Sequence, residues 1–353
     1  MTVTRRWLGG LLAGALLLVA ATPARAQELD QFLPADTTFV VRVNVKQILS
    51  SELLRRAIPA IAHKHGDQFI ELAKTFGALD ENLGKAIKDG VLENFIAAMK
   101  DRDKVNQGLD TFKQFLTEVA FTSDFRGEEP KFLIFVRSPV LTPALMGMML
   151  GFVEQSQPGV FKKEKLGKHL LYEIAPPNQE QKFYMVLPAN GWVLLAADKD
   201  YLKTSLEAAD AGKTNVSKEL KALLGQFKPT HSVFFAGLKN QEGKDQISVG
   251  SVTIDDGVGV NFTLNASSAD AAKEQAKELN DKIEEALSTV TGLLGEADAT
   301  KGLVKELEGI KAKTDGSKVV IQVRLPAKIF DPLLKIEKKD EEKKDKSDKK
   351  DDK

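Results

Sequence analysis

The chain has 353 residues and a formal net charge of zero, from 50 basic and 50 acidic side chains. That balance sets up no field to draw in nucleic acid or an anionic membrane surface. The absence of cysteine removes disulfides, thiolate metal sites, iron–sulfur clusters, thiol nucleophiles and lipid attachment through an N-terminal cysteine together.

Arg5 and Arg6 precede an uncharged, mostly apolar run of 14 residues, Trp7 to Ala20, and Ala24-Arg25-Ala26 fits the small-x-small cleavage rule. These features predict a signal peptide over 1–26, cleaved after Ala26, and export to the periplasm or beyond. The run falls short of the roughly 20 apolar residues that span a bilayer, so no integral membrane segment is expected after cleavage. The Arg5-Arg6 pair leaves general secretion and twin-arginine export both open. Without Arg5, Arg6 and Arg25 the balance becomes 47 basic against 50 acidic residues. The remaining 327 residues suffice for one large domain or two ordinary ones.

FVVRVNV (39–45) alternates at the strand period and leads into helical spacing from Gln47. Helical patterning then continues through FIELAKTFG, LENFIAAMK and LDTFKQFLTEVAF, which predicts a helical insertion over about 47–122. FLIFV (132–136) reads as a strand before a helix around Pro143 to Glu154. HLLYEIA (169–175), Phe183–Leu187 and Trp192–Ala196 read as a three-strand meander, the last two joined through Asn190-Gly191. Asp198 is placed to cap the helix KDYLKTSLEAAD.

GQFKPT (225–230) breaks the pattern. Beyond it, Ile247–Ile254 and Val258–Leu264 flank Asp255-Asp256-Gly257 as a hairpin. Ser267 and Asp270 then give the spacing of a helix start, and Ala272, Ala276, Leu279, Ile283, Leu287, Val290 and Leu294 form one stripe. Its leading alanines favour close packing on a sheet over a coiled coil. VVIQVRL (319–325) is a last strand, followed by PAKIFDPLLK with Pro326 in a first helical turn.

The expected fold class is α+β: antiparallel sheets of hairpins and a meander, each covered by helices, with a helical insertion after the first strand. The expected domains are 27–225 and 229–334, with one continuous domain around a shared sheet left open. Lys335–Lys353 holds nine lysines and eight acids in 19 residues, which predicts a disordered tail.

The chemistry-bearing residues make no constellation. His63 and His65 are two apart in a helical stretch and point about 200° apart, too far to chelate one ion. His169 and His231 open strands with no carboxylate at ligand spacing beside them. Met146, Met148 and Met149 suggest a soft-metal cluster, but Leu145, Leu150, Phe152 and Val153 around them favour a buried helix that uses Met as filler. Asp255-Asp256 reads as a turn pair, Glu128-Glu129 as loop and Glu284-Glu285 as an exposed helix side. There is no G-x-S-x-G elbow, H-E-x-x-H or P-loop; a Ser-x-x-Lys match occurs only at Ser347–Lys350 in the tail. No catalytic, cofactor-binding or metal residue is assigned.

FLPADTTFVVRVNVKQILSS (Phe32–Ser51) resembles the start of the mature chain in a loose group of exported bacterial proteins of unknown function that open with L-P-A-D-T. WVLLAADKDYLKTSLEAA and the module from Val258 are similar to that group as well. The resemblance implies an exported α+β fold and carries over no catalytic residue.

The expected role is a non-enzymatic envelope interaction or binding module, with an envelope protein as partner and surfaces on 141–154 and 269–294. A hydrolase with scattered carboxylates and a carrier of a small apolar ligand are the alternatives. Convergent perturbed acids in a pocket would favour the enzyme, a dry cavity the carrier, and a flat exposed apolar patch the partner.

Overall fold

The computed structural model describes residues 29–77, 89–125, 129–156, 158–175, 182–188, 191–212, 216–241, 244–294 and 298–335. The expected signal peptide, Glu128, Asn190 and all but the first residue of the tail lie outside them.

The described residues build a single twelve-stranded sheet, each strand antiparallel to its neighbours, in the order β11-β12-β10-β9-β8-β1-β2-β3-β7-β6-β5-β4. In chain order the strands are β1 (Phe39–Val43), β2 (Glu118–Asp124), β3 (Lys131–Arg137), β4 (Phe161–Leu166), β5 (His169–Ile174), β6 (Phe183–Val186), β7 (Trp192–Ala196), β8 (Val233–Gln241), β9 (Lys244–Ile254), β10 (Val258–Asn265), β11 (Lys313–Asp315) and β12 (Lys318–Leu325). The helices are α1 (Val45–Ser50), α2 (Glu52–Gly77), α3 (Val91–Lys100), α4 (Arg102–Phe115), α5 (Pro143–Ser156), α6 (Lys199–Asp210), α7 (Lys218–Leu224), α8 (Ala269–Leu294), α9 (Asp298–Glu308) and α10 (Asp331–Leu334). The fold is therefore α+β with an antiparallel sheet and a helical insertion, α1–α4, after the first strand. The sheet is continuous across residues 225–230, because β1 pairs with β8 along its whole length.

Local chemistry sets the boundaries. Asn44 Oδ1 accepts from the Gln47 amide at 3.0 Å and Asp198 Oδ1 from the Tyr201 amide at 2.8 Å, capping α1 and α6. The long helix α8 is capped by Ser268, whose Oγ accepts from the Ala271 amide at 3.1 Å, one residue later than the Ser267 expected from spacing. Helical structure in the insertion ends at Phe115 and not near Thr122. From Glu118 the alternation of Val119 and Phe121 with Ala120 and Thr122 wins as β2. The expected helix after β12 is broken into a 3-10 turn, Ala327–Ile329, and the four residues of α10. Pro326 stays extended, and Pro332 has no N–H with which to carry one helix through.

The register fixes two faces. On one, Leu171, Val186, Leu194, Phe135, Ala120, Arg42 and Phe234 lie in one cross-strand row from β5 to β8. α6, α7 and a 3-10 turn at Leu29–Phe32 cover this face and form the main core with it. Phe32 sits between Phe135 and Trp192, with ring centroids 6.3 and 5.9 Å away. The row continues into Ser251, Asn261 and Gln322, where the same face turns polar.

On the opposite face the row reads Ile321, Phe262, Gly250, Phe235, Val41, Phe121, Ile134, Leu195, Met185 and Tyr172. Here α8 packs Ala272 and Ala276 beside Val319, Leu264 and Ile321 at one end. α5 packs Met146 and Leu150 on Tyr172, Met185 and Val193 at the other. The alanines bring α8 close to the sheet, as their position in the stripe predicts. Among the described residues no helix is long and apolar enough to cross a membrane.

Candidate functional site

Three polar clusters invite a chemical reading. His169 is buried at the start of β5, and its Nε2 lies 3.0 Å from Asp210 Oδ1 at the end of α6. Lys168 Nζ reaches the same oxygen at 2.9 Å. No carboxylate stands at ligand spacing beside His169 in the sequence; its partner is brought in by the fold from 41 positions away. Burial works to raise the Asp210 pKa, but the hydrogen bonds from Lys168 and His169 outweigh it and leave it lowered. A histidine–carboxylate pair becomes catalytic when a nucleophile or substrate proton sits on the free ring nitrogen. No serine or threonine hydroxyl bonds to His169 among the described residues, and the pair ties β5 to α6.

On the covered face Arg42 Nε donates to Glu118 Oε1 at 2.7 Å, both side chains being largely buried, and the guanidinium lies 3.9 Å over the Phe227 ring. His231 stacks on Phe234 at 5.9 Å, and its pKa is lowered by burial and then by Lys228. At the β9–β10 turn Arg324 holds Asp255 and Asp256 at 2.8 and 3.0 Å. Burial opposes ionisation of Asp255, but Arg324 and the Gly257 amide bring its pKa down to about 2. The Asp pair thus shapes a turn, as its sequence suggests. His63 donates to the Lys100 carbonyl and His65 to Gln68, on separate partners. Among the described residues no three His, Asp or Glu side chains come together as metal ligands.

The exception to ordinary burial is the second face. β1, β2 and β3 are central strands, and central strands are normally covered on both sides. Here Val41, Phe121 and Phe235 are only half-buried, and Phe125, Phe132 and Ile134 are exposed. Their rings pack on one another. Phe121 and Phe132 lie 5.3 Å apart, Phe125 and Phe132 6.0 Å, Phe39 and Phe125 6.1 Å. No charged residue falls on this face of β1–β3. Phe235 lies over Gly250, where any Cβ would come within 2.2 Å of the ring.

The strip is continuous with α5. Ile134 pairs with Leu195, which packs beneath that helix. α5 turns Met146 and Leu150 to the sheet and presents Met148, Met149, Phe152 and Val153 outward, Phe152 being 64% exposed. A helix apolar on every side belongs in an interior; this one leaves Met148, Met149 and Phe152 largely exposed on its outer side. Next to that outer side, Gly147 and Gly151 form a Gly-x-x-x-Gly pair, and a Cβ on either would meet nothing within 4 Å. Two glycines inside a helix cost roughly 1 kcal/mol each against alanine, and nothing among the described residues packs against them in return. The sequence singled out α5 as apolar; it gave no sign that the helix forms one exposed step with the β1–β3 strip.

The fold and this surface define a class: an α+β protein with a large antiparallel sheet and one apolar face left half open. No protein-family model matches the chain, and no curated protein matches it. Solved structures of TP0453 are similar to it: crystal form I at TM-score 0.38 and 11% identity, covering 89% of this chain and 98% of that one. Crystal forms III and IV give TM-scores of 0.38 and 0.36 at 10% and 9% identity, covering 88% and 86% of this chain and 98% and 96% of those. A likeness that distant carries nothing about what the chain does.

Proposed function

We propose that this chain is an exported, non-catalytic interaction module, and that its working surface is the apolar step formed by α5 and the open face of β1–β3. The observation that carries the reading is the exposure of an uncharged, ring-packed strip on central strands beside a helix that is apolar all round. Export rests on the signal-like residues 1–26 and on the L-P-A-D-T resemblance.

The occupant we assign is an apolar helical segment of an envelope protein. β-Strand addition is disfavoured at both edges: β4 carries exposed Lys162, Lys163 and Lys165, and β11 has three residues. Between α5 and α8 the open face spans five strands, β9, β8, β1, β2 and β3. At about 4.8 Å per strand that is about 24 Å, roughly two helix diameters. Gly147 and Gly151 allow a partner backbone to approach α5 closely, the use such pairs have between apolar helices. Of two clefts, one of about 350 Å³ lined by Pro143, Lys168, His169 and Leu170 opens to solvent, its His169 already held by Asp210, and one of about 440 Å³ runs along α4 alone.

A photo-crosslinking amino acid placed at Phe152, at Phe132 or at Gln322 on the polar part of the covered face tests the reading in the native envelope. Expected is one discrete adduct from the first two positions and none from the third, with Phe152→Glu abolishing the adduct at 132. Equal labelling at all three positions would end the proposal.

A further inference from the structure

We infer that Met148 and Met149 are an oxidation site set into the docking face, and that their conversion to sulfoxides switches that face off. The inference rests on the docking surface proposed above, but its chemistry can be tested without any partner. The chain has no thiol to intercept an oxidant, so thioethers are its most readily oxidised side chains.

Exposure separates the thioethers cleanly. Met148 and Met149 are 47% and 50% exposed, whereas Met146 and Met185 beneath the same helix are 9% and 6% exposed. Met99 in α3 is half-buried. The two exposed sulfurs are adjacent on α5, beside Phe152, with the bare Gly147 and Gly151 in the same turns.

The step balances with a two-electron oxygen donor such as a peroxide. The thioether sulfur donates a lone pair to the distal peroxide oxygen, the O–O bond breaks, and a sulfur–oxygen bond forms. Sulfur is oxidised by two electrons, and hydrogen peroxide is reduced to water. No carbon–sulfur bond is cut. A dithiol reductant reverses the step, carrying the oxygen away as water and becoming a disulfide. Each sulfoxide places a strongly polar, hydrogen-bond-accepting group on the α5 side of a surface whose β1–β3 strip carries no charged residue. A partner that docked there would have to bury it without a donor, which is unfavourable. Met146 and Met185 stay reduced, so the packing of α5 on the sheet survives and the change is confined to the outer surface.

The test uses the full chain, limiting hydrogen peroxide, and time-resolved peptide mass spectrometry of all the described methionines. Met148 and Met149 are expected to gain oxygen at least about tenfold faster than Met146 and Met185. Equal rates, or earlier oxidation of Met146, would overturn the site. A fluorescent apolar dye is the second readout: its binding to the native protein should fall after oxidation. Reduction of the sulfoxides by methionine sulfoxide reductase should restore the dye binding that oxidation removed. Selective oxidation that leaves dye binding unchanged would overturn the switch while leaving the site standing. Selective oxidation and loss of dye binding in a protein that gives no crosslinked adduct would separate the failure of the docking reading from this one.

Discussion

The two faces of the central strands are built from the same residue types and have opposite fates. On β3, Phe135 is 0% exposed and packs against Phe32 and Trp192, while Phe132, three residues earlier, is 37% exposed. Both are phenylalanines on one strand. One face is closed by α6, α7 and the turn at Leu29–Phe32; on the other, the described residues place helices only at its two ends. The difference teaches that β1–β3 have more apolar surface than the described residues cover, and that the excess lies on one continuous side.

The largest effect that could break this comparison comes from paired truncations on β3. Phe135→Ala should cost about 3–5 kcal/mol, since it leaves a cavity among rings that have no route to collapse. Phe132→Ala should cost under about 1 kcal/mol, because its ring is partly in water already. Urea unfolding of the two variants measures the contrast. Equal losses would mean that the second face is closed in solution and that the proposed surface does not exist.

A smaller effect tests how the open strip is held in shape. Gly250→Ala would drive a methyl into the Phe235 ring, which also packs in a tilted pair with Phe262 at 5.8 Å. The ring must swing away, and overpacking of this kind costs about 1–3 kcal/mol. Because the displaced ring enters solvent, apolar dye binding should rise as stability falls. A neutral substitution would show that Phe235 does not rest on that glycine.

Much of this architecture is legible from the residues, and what is not has physical causes. β10, VGVNFTLN, announces its buried side because its other side is polar at Asn261 and Thr263. β3, FLIFV, is apolar on both sides, and β1, FVVRV, carries its one charge, Arg42, on the covered side, so periodicity identifies the strands without saying which face is covered. β4, FKKEKL, escapes pattern reading because an edge strand protected by lysines has almost no apolar face. β2 is masked by the helix before it, since LTEVAF satisfies both periods. The His169–Asp210 pair obeys no spacing rule, being a contact between the start of a strand and the end of a distant helix. For α5, composition reveals the apolar helix, but only the register that sets Ile134 beside Leu195 reveals its exposure as a continuous surface.

Away from both faces, the β9–β10 turn supplies a control of about 1 kcal/mol. The folded Asp255 pKa of about 2 lies below its ordinary value of 3.8. The folded state therefore binds this proton less readily than the unfolded state. Its contribution is fully present above about pH 4 and is lost as pH falls towards 2. The carboxylate is partly solvent-screened, so about 1 kcal/mol is the expected size. Asp255→Asn should lower stability by that amount at pH 7 and by almost nothing near pH 2, in urea melts across that range. A pH-independent deficit would assign the loss to the turn backbone and not to the ion pair with Arg324.

The smallest effect bears most directly on the open face. Gly147 and Gly151 have room for a methyl within the chain and sit in an ordinary helix, with no positive φ to preserve. Alanine at each should therefore stabilise the isolated protein, by about 0.4–1 kcal/mol per site, chiefly by restricting the unfolded chain. If the glycines serve only this chain, nothing is lost by the change. If they let a partner helix approach α5, the same methyls must weaken the crosslink from position 152 while thermal stability rises. Stability and docking would then move in opposite directions in one variant, which a merely structural role for the glycines does not produce. A G147A/G151A protein that is more stable and crosslinks as before would place the contact on the β1–β3 strip alone, with α5 as its wall.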